Sequence, residues 1–430
     1  MSKIFIKFNI YTIVKLLFYL FPFFMLLESA LITSYVTLFL ITTLFLFYSK
    51  KIRIKFDNID YLLVIFFLLG FIATMINVTI LGKLSLLKSI TDFRFLFFFV
   101  LIRNLINYKI VNLKFIFLVS LFCTSFLSLD IIYQHLNNKD FFGNTPFDGR
   151  FNGTFGHEAI AGGYIQKNFA LSLCAIFLLT IKYQKKNLLF LVTTMLGLGI
   201  LLSLDRMPFI IYLFTIILLI FFLKNYRLLF IFNFVIILII FIFLFNNYKI
   251  LNDRYFSLSS ELNFNKFSNF FLTNSNEIIK KDIIEIKNDN YLIGDYSKIY
   301  KTSYYVWLKN PILGSGKRSF GKICDSVKIY RSNILCSTHP HNIYLEVVVT
   351  HGVLGLITFL TFIIISFYNI KKKIFTFNNN YYYIISSLFL TILFSELFPL
   401  RSYGSIFQTV NGTMFWFILA LINSSIYKLK

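Results

Sequence analysis

The chain is expected to be an all-α, polytopic membrane protein of about 12 transmembrane helices. Three observations predict this. It is 57% hydrophobic and 20% aromatic, with 14% charged residues, and its mean hydropathy is +0.74. A soluble chain of 430 residues would be unable to hide so much apolar surface. Runs of about 20 apolar residues recur along most of the length, each able to cross a hydrocarbon core of roughly 30 Å. The residue-by-residue alternation of a membrane β-barrel is absent.

Spans are expected at 10–27, 30–48, 60–80, 93–107, 112–133, 159–181, 187–203, 206–223, 227–245, 342–368, 380–398 and 405–425. The first apolar stretch follows a basic start but runs at once into a second, so Met1 to Leu27 reads as part of a helical hairpin and not as a cleavable signal. The fourth span is short and carries Arg94 and Arg103. Between the ninth and tenth spans lies segment 246–341, the only sizeable non-membrane part. The chain then divides into 1–245 with an outer loop at 134–158, a loop domain at 246–341, and a closing group of spans at 342–430. The first half of 246–341 is rich in Asn, Ser, Lys and Asp. The second half carries Tyr304, Tyr305 and Trp307, an aromatic cluster suited to a helix at the membrane interface, then a turn at Asn310-Pro311.

Basic residues in short loops orient the bundle. Lys50, Lys51, Arg53 and Lys55 follow the second span, Lys182, Lys185 and Lys186 the sixth, and Lys224 and Arg227 the eighth. Lys371, Lys372 and Lys373 follow the tenth, and Lys428 and Lys430 lie beyond the last. All are even-numbered exits, so one face collects them and is cytoplasmic. The opposite face receives 134–158, the turn at Ser203–Arg206, segment 246–341 and the turn near Arg401.

The formal charge of +23 invites a nucleic-acid reading. Against it, the basic residues are scattered through loops and form no basic module. Cytoplasmic-loop lysines explain much of the charge, and attraction to anionic lipid or a diphosphate explains more. Of the four cysteines, Cys123 and Cys174 fall inside apolar runs as packing residues. Cys324 and Cys336 share one polar segment; in an oxidising compartment they form a disulfide, and two free thiols is the alternative.

The conspicuous polar groups collect on the predicted outer face. Two of the five histidines lie in His339-Pro340-His341-Asn342, where the polar segment meets an apolar run. Arg206 sits between two apolar runs with almost no linker. Arg150 lies in the glycine-rich run 148–158, and Lys317 and Arg318 follow Gly314-Ser315-Gly316. Guanidinium forks bind phosphate, and a neutral histidine takes a proton from a hydroxyl. Each has a plainer reading: Arg206 as an interfacial anchor beside Asp205, Arg150, Lys317 and Arg318 as solvated charges, His341 as a helix-start histidine satisfied by backbone. His157 and Glu158 are adjacent and share no helix face. Glu346 and Glu396, near outer helix ends, orient a histidine or pair with an arginine. The run Gly314 to Ser319 imitates a phosphate loop but has too few residues between its glycines. A zinc site from His339, His341 and His157 lacks the usual spacings. The Asn-x-Thr sequons at Asn77, Asn152 and Asn411 are expected by chance in an Asn-rich chain.

Three segments carry a resemblance: Trp307-Leu308-Lys309-Asn310-Pro311-Ile312-Leu313-Gly314-Ser315-Gly316, His339-Pro340-His341-Asn342-Ile343-Tyr344-Leu345-Glu346, and His351-Gly352-Val353-Leu354-Gly355-Leu356. Together they look like the signature region of the O-antigen ligase and polymerase superfamily. Gly153-Thr154-Phe155-Gly156-His157, the turn Ser203-Leu204-Asp205-Arg206 and Phe398-Pro399-Leu400-Arg401-Ser402-Tyr403-Gly404 are similar to its other landmarks, in the right order over roughly 145–425.

The resemblance implies a GT-C-type, metal-independent, inverting glycosyltransferase of a bacterial inner membrane, with no cofactor and no nucleotide sugar. It would take a glycan from undecaprenyl diphosphate and join it to an acceptor on the periplasmic side. The acceptor is lipid A–core in ligases, a second lipid-linked repeat in polymerases and protein in some relatives; ligase is the preferred reading. His341 matches the family's proposed base and Arg206 its diphosphate-binding arginine, with Arg150, Arg318, His339 and Lys317 as further substrate or diphosphate contacts. The family's additional loop arginine is poorly matched, by Arg318 or Arg331. Met207-Pro208 departs from the small residue or glycine usual after the turn arginine, although proline suits a first helical turn. The competing class is a transporter of lipid-linked glycan, which predicts charges deep in several spans. A structural membrane subunit is the third reading.

Overall fold

A computed structural model describes residues 9–183, 186–252, 254–255, 295–328, 334–376 and 380–425. Residues 256–294, Arg331, Lys185, Lys428 and Lys430 lie outside that set. Among the described residues the chain is all-α, with an isolated bridge between Phe147 and Arg150 in place of any strand.

Among the described residues six helices are long and apolar enough to cross a membrane, and five shorter apolar helices of 10–17 residues accompany them. The chain therefore has the build of a multi-pass membrane protein. The first expected span is broken: α1 (Ile10–Tyr19) stops before α2 (Phe21–Phe24), because Pro22 withholds a backbone donor from a continuous helix. Next come α3 (Ser29–Ser49), α4 (Asn58–Ile76), the single turn α5 (Val78–Leu81) and α6 (Lys83–Asn107).

The 25 residues of α6 make it far longer than its apolar run. It tolerates Arg103 because that guanidinium, 4% exposed, is paired with Asp60 and Asp57 at the start of α4. A buried charge without such partners would be expelled.

The chain continues through α7 (Leu113–Asn137), α8 (Ala161–Tyr183), α9 (Lys186–Leu202), α10 (Arg206–Phe222) and α11 (Arg227–Asn247). Then follow α12 (Asp295–Leu308), α13 (Ser319–Lys328), α14 (Ile343–Thr376), α15 (Asn380–Glu396) and α16 (Thr409–Ile422).

At the centre stands α16, buried on every side from Gly412 to Ile422, as a helix apolar all round should be. It packs on α6, α14 on α4, and α7 on α8 and α9. Phenylalanines supply the filling: Phe21 stacks on Phe417 with centroids 3.6 Å apart, and Trp416 donates to the Ile406 carbonyl at 3.1 Å. Helices at the periphery show the reverse. In α11 only Phe230, Asn233 and Ile237 are buried, while Phe232, Ile239, Ile242 and Phe243 face outward. Small polar groups bridge spans inside the bundle, as where Ser172 meets Ser120 and Thr124 at 3.2 and 2.9 Å.

Helix α14 is split. Gly352 has φ 65° and ψ −166°, a conformation essentially reserved for glycine. The split is closed by the loop before it. Ser315 and Gly316 donate to the carbonyls of Val349 and Thr350 at 2.8 and 3.0 Å. Val353 and Leu354 donate back to the carbonyls of Pro311 and Ile312 at 2.9 and 3.3 Å. Irregular backbone within a membrane protein survives only when it is re-satisfied in this way. The Asn-Pro-Ile-Leu-Gly-Ser-Gly and His-Gly segments of the sequence are thus two halves of one joint.

A Cβ on Gly352 would fall 2.2 Å from the Ile312 carbonyl oxygen. Gly352→Ala is therefore expected to cost about 3 kcal/mol through strain and overpacking. Thermal denaturation of the purified protein reads it; an unchanged midpoint would refute the account of the joint.

Candidate functional site

A cavity of about 790 Å³ opens at one end of the bundle. The loop before α8, the α9–α10 turn, the residues after α11, α12, His341 just before α14 and the α15–α16 connection all contribute to it. Its walls carry Arg150, Arg206, Arg254, Lys167 and Arg401, against the carboxylates Asp205 and Glu158. A cavity with this excess of cations suits an anionic guest.

Arg206 is the first residue of α10, entered through a tight turn. Leu204 takes φ 60°, and the Asp205 amide donates to Ser203 Oγ at 3.3 Å. The turn nests against α8 because Gly162 has no side chain: a Cβ there would lie 2.3 Å from Ser203 Oγ. The Gly162 amide donates to Asp205 Oδ2 at 3.1 Å, and Arg150 donates to Asp205 Oδ1 at 3.2 Å. Burial outweighs the nearby Arg150 and pushes the Asp205 carboxyl up to about 6. Arg206 Nη1 donates to the Arg254 carbonyl at 3.1 Å, and Arg254 donates to the Asp148 carbonyl at 3.1 Å. Three arginines from three separate loops are thereby held together.

His341 sits immediately before α14, with φ 55°, in the left-handed region few side chains adopt. Asn342 holds it there. The Asn342 side chain caps α14 by accepting from the Tyr344 and Leu345 amides at 3.0 and 3.2 Å. Its amide nitrogen donates to the Pro399 carbonyl at 2.7 Å. The His341 carbonyl accepts from the Tyr403 amide at 2.8 Å, and its Nε2 lies 3.1 Å from Ser337 Oγ. The ring meets Tyr296 edge-on and faces the cavity. Burial lowers the His341 imidazole below its usual range. His339, with its ring centroid 4.1 Å from that of His341, is driven down to about 4 by burial and by that neighbour. Both are therefore neutral at pH 7, the form that accepts a proton.

The structure brings Arg150, Arg206 and His341 to one cavity and leaves three of the expected residues off its lining. His339 stands behind His341 and bonds Thr338 Oγ1 at 2.9 Å. The Lys317 ammonium is turned toward Asp92 of α6, at 2.6 Å, and over the Phe407 ring. Arg318 is exposed and not among the lining residues. The neighbouring glycines serve the α14 joint, so the Gly-Ser-Gly-Lys-Arg run is structural at its start. Cys324 and Cys336 are joined in a disulfide, while Cys123 and Cys174 are buried and free. Glu396 pairs with Arg401 at 2.9 Å, and Glu346 accepts from the Ile406 amide at 3.0 Å. Among the described residues no group of three or more His, Cys, Asp or Glu could hold a metal ion.

Sequence reasoning misses three cavity cations. Arg254 is hidden in an Asn-rich stretch. Arg401 reads as a turn residue without a role. Lys167 lies within an apolar run, where a lone lysine is itself a signal.

Fold and site together define a multi-pass helical membrane protein with a cation-lined cavity at one end. Residues 188–360 match the family model described as O-antigen ligase, which supports the O-antigen ligase superfamily for this chain. Members of that family are glycosyltransferase-like enzymes. The matched stretch includes the Arg206 turn, Arg254, the α14 joint and His341; Arg150, Lys167 and Arg401 lie outside it. No curated protein matches the chain.

If a neutral His341 is the proton acceptor, lowering the pH removes activity by protonating it, and Asp205, raised to about 6, loses its charge in the same direction. Transfer is then expected to stay flat from mildly alkaline pH down to 6.5, the ordinary histidine value, and to fall only below it. A pH profile of kcat/KM measures this; an acidic limb centred above 6.5 contradicts it.

Proposed function

We propose that the chain moves a glycan from undecaprenyl diphosphate to a lipid A–core acceptor at the periplasmic face of a bacterial inner membrane. The observation that carries this is the meeting of Arg150, Arg206 and Arg254 with His341 in one cavity. An acceptor hydroxyl attacks the anomeric carbon of the donor while His341 takes its proton. The bond from that carbon to the diphosphate oxygen breaks, and the arginines neutralise the departing undecaprenyl diphosphate. Backside attack inverts the anomeric centre. The leaving group is already attached, so neither a metal nor a nucleotide sugar enters the scheme.

In this reading about 12 spans cross the membrane, with 1–245, 246–341 and 342–430 as the first group of spans, the periplasmic loop domain and the closing group. Both ends of the chain are cytoplasmic. The cationic groups collect at one end of the bundle, which favours an enzyme over a transporter with charges along a pathway.

Membranes containing the protein, incubated with lipid-linked glycan plus either lipid A–core or a second molecule of donor, test the acceptor. Glycan appearing on lipid A–core is the expected result. Lengthening of the lipid-linked chain alone would replace ligase by polymerase, and no new product in either mixture would overturn glycan transfer.

A further inference from the structure

Lys167 stands apart from the arginine cluster. It reaches the cavity from α8, and its Nζ lies 4.6 Å from the centroid of the Tyr403 ring. It donates to Asn411 Oδ1 at 2.9 Å. An ammonium has three donors, so others are left for a guest. Glu396, the acid of this wall, is already taken: one oxygen accepts from Arg401 at 2.9 Å and the other from the Tyr403 hydroxyl at 2.7 Å. Arg401 in turn donates to Glu396, to the Ser395 carbonyl at 2.8 Å and to Gln166 Oε1 at 2.8 Å. Among the described residues Lys167 thus makes no salt bridge: Glu396 attracts it from a distance, but that carboxylate is bonded to Arg401 and Tyr403. Such a charge is costly in a largely apolar bundle, and an anion entering the cavity relieves the cost.

The position says which substrate that anion belongs to. The ring under Lys167 belongs to Tyr403, whose amide holds the His341 carbonyl. Lys167 and His341 thus line one cavity and both meet Tyr403, and the diphosphate is already assigned to the arginines. We propose that Lys167, with Asn411 and Tyr403, forms a second anion subsite that selects acceptors bearing a phosphate or carboxylate on the sugar that receives the glycan. The assignment to the acceptor rests on the glycan-transfer reading; the subsite itself does not.

Binding and transfer are measured separately on purified full-length protein. The binding probes are a hexose phosphate, a hexuronic acid and the parent neutral hexose. Wild type is expected to bind at least one acidic sugar about tenfold more tightly than the neutral one, the size of one charge-assisted hydrogen bond. Which acid is preferred separates phosphate from carboxylate. Lys167→Gln should remove the preference, Lys167→Arg should keep most of it, and Arg206→Ala should leave it in place. Equal binding of acidic and neutral sugars, or a preference that survives Lys167→Gln, overturns the subsite.

In transfer from a lipid diphosphate donor, Lys167→Gln should raise KM for an acidic acceptor about tenfold, with kcat and donor KM unchanged. The same rise for a neutral acceptor overturns the selectivity. A wild-type protein that binds acidic sugars through Lys167 yet transfers nothing keeps the subsite and defeats the glycan-transfer reading.

Discussion

Alanine at His341 is expected to slow transfer by about 10²- to 10⁴-fold, the contribution of a positioned general base, while leaving the lipid-linked donor bound. The backbone argues for a large effect. The position is held in the left-handed region by the Asn342 cap and the Tyr403 amide, so the ring is aimed by its surroundings. Alanine removes the ring and leaves the cap, so folding should persist. Single-turnover transfer by purified protein, with donor binding measured in parallel, separates chemistry from affinity. Undiminished transfer would remove His341 from the mechanism, and loss of donor binding would make it a binding residue.

Arg206→Ala should lower transfer by about 10²- to 10³-fold, the scale for losing one donor aimed at developing negative charge. Donor affinity should weaken as well, since the diphosphate is anionic before and after reaction. Arg206→Lys is expected to recover only part, because an ammonium keeps the charge and loses the planar fork. Arg150 and Arg254 share the same wall, so paired substitutions should fall short of additivity. A silent Arg206→Ala in a well-expressed protein would leave the arginine wall without a diphosphate to hold.

Much of this is legible in the residues alone, for identifiable reasons. Apolar runs of spanning length announce helices, and the distribution of basic loops puts Arg206 and His341 on one side of the bundle. What stays hidden depends on partners distant in sequence. Arg103 looks prohibitive within a span because nothing local shows Asp60 waiting on α4. Lys317 looks like a ligand beside a glycine loop, yet Asp92 of α6 claims it. The break between α1 and α2 is visible at Pro22 and outweighed by the apolar run around it. Arg254 and Lys167 carry no motif and become conspicuous only when the cavity closes around them.

The joint in α14 has a consequence for aim. Lipid is a solvent of axial symmetry: it sets how deep a helix sits but says nothing about which way the helix is turned. Four amide-to-carbonyl pairs between 311–316 and 349–354 supply the missing azimuth. A slip of one residue would unpair them together, at several kcal/mol for each stranded group. The compass bearing of His341 is therefore dictated by the backbone of a loop threaded into the helix below it, and not by the membrane around it.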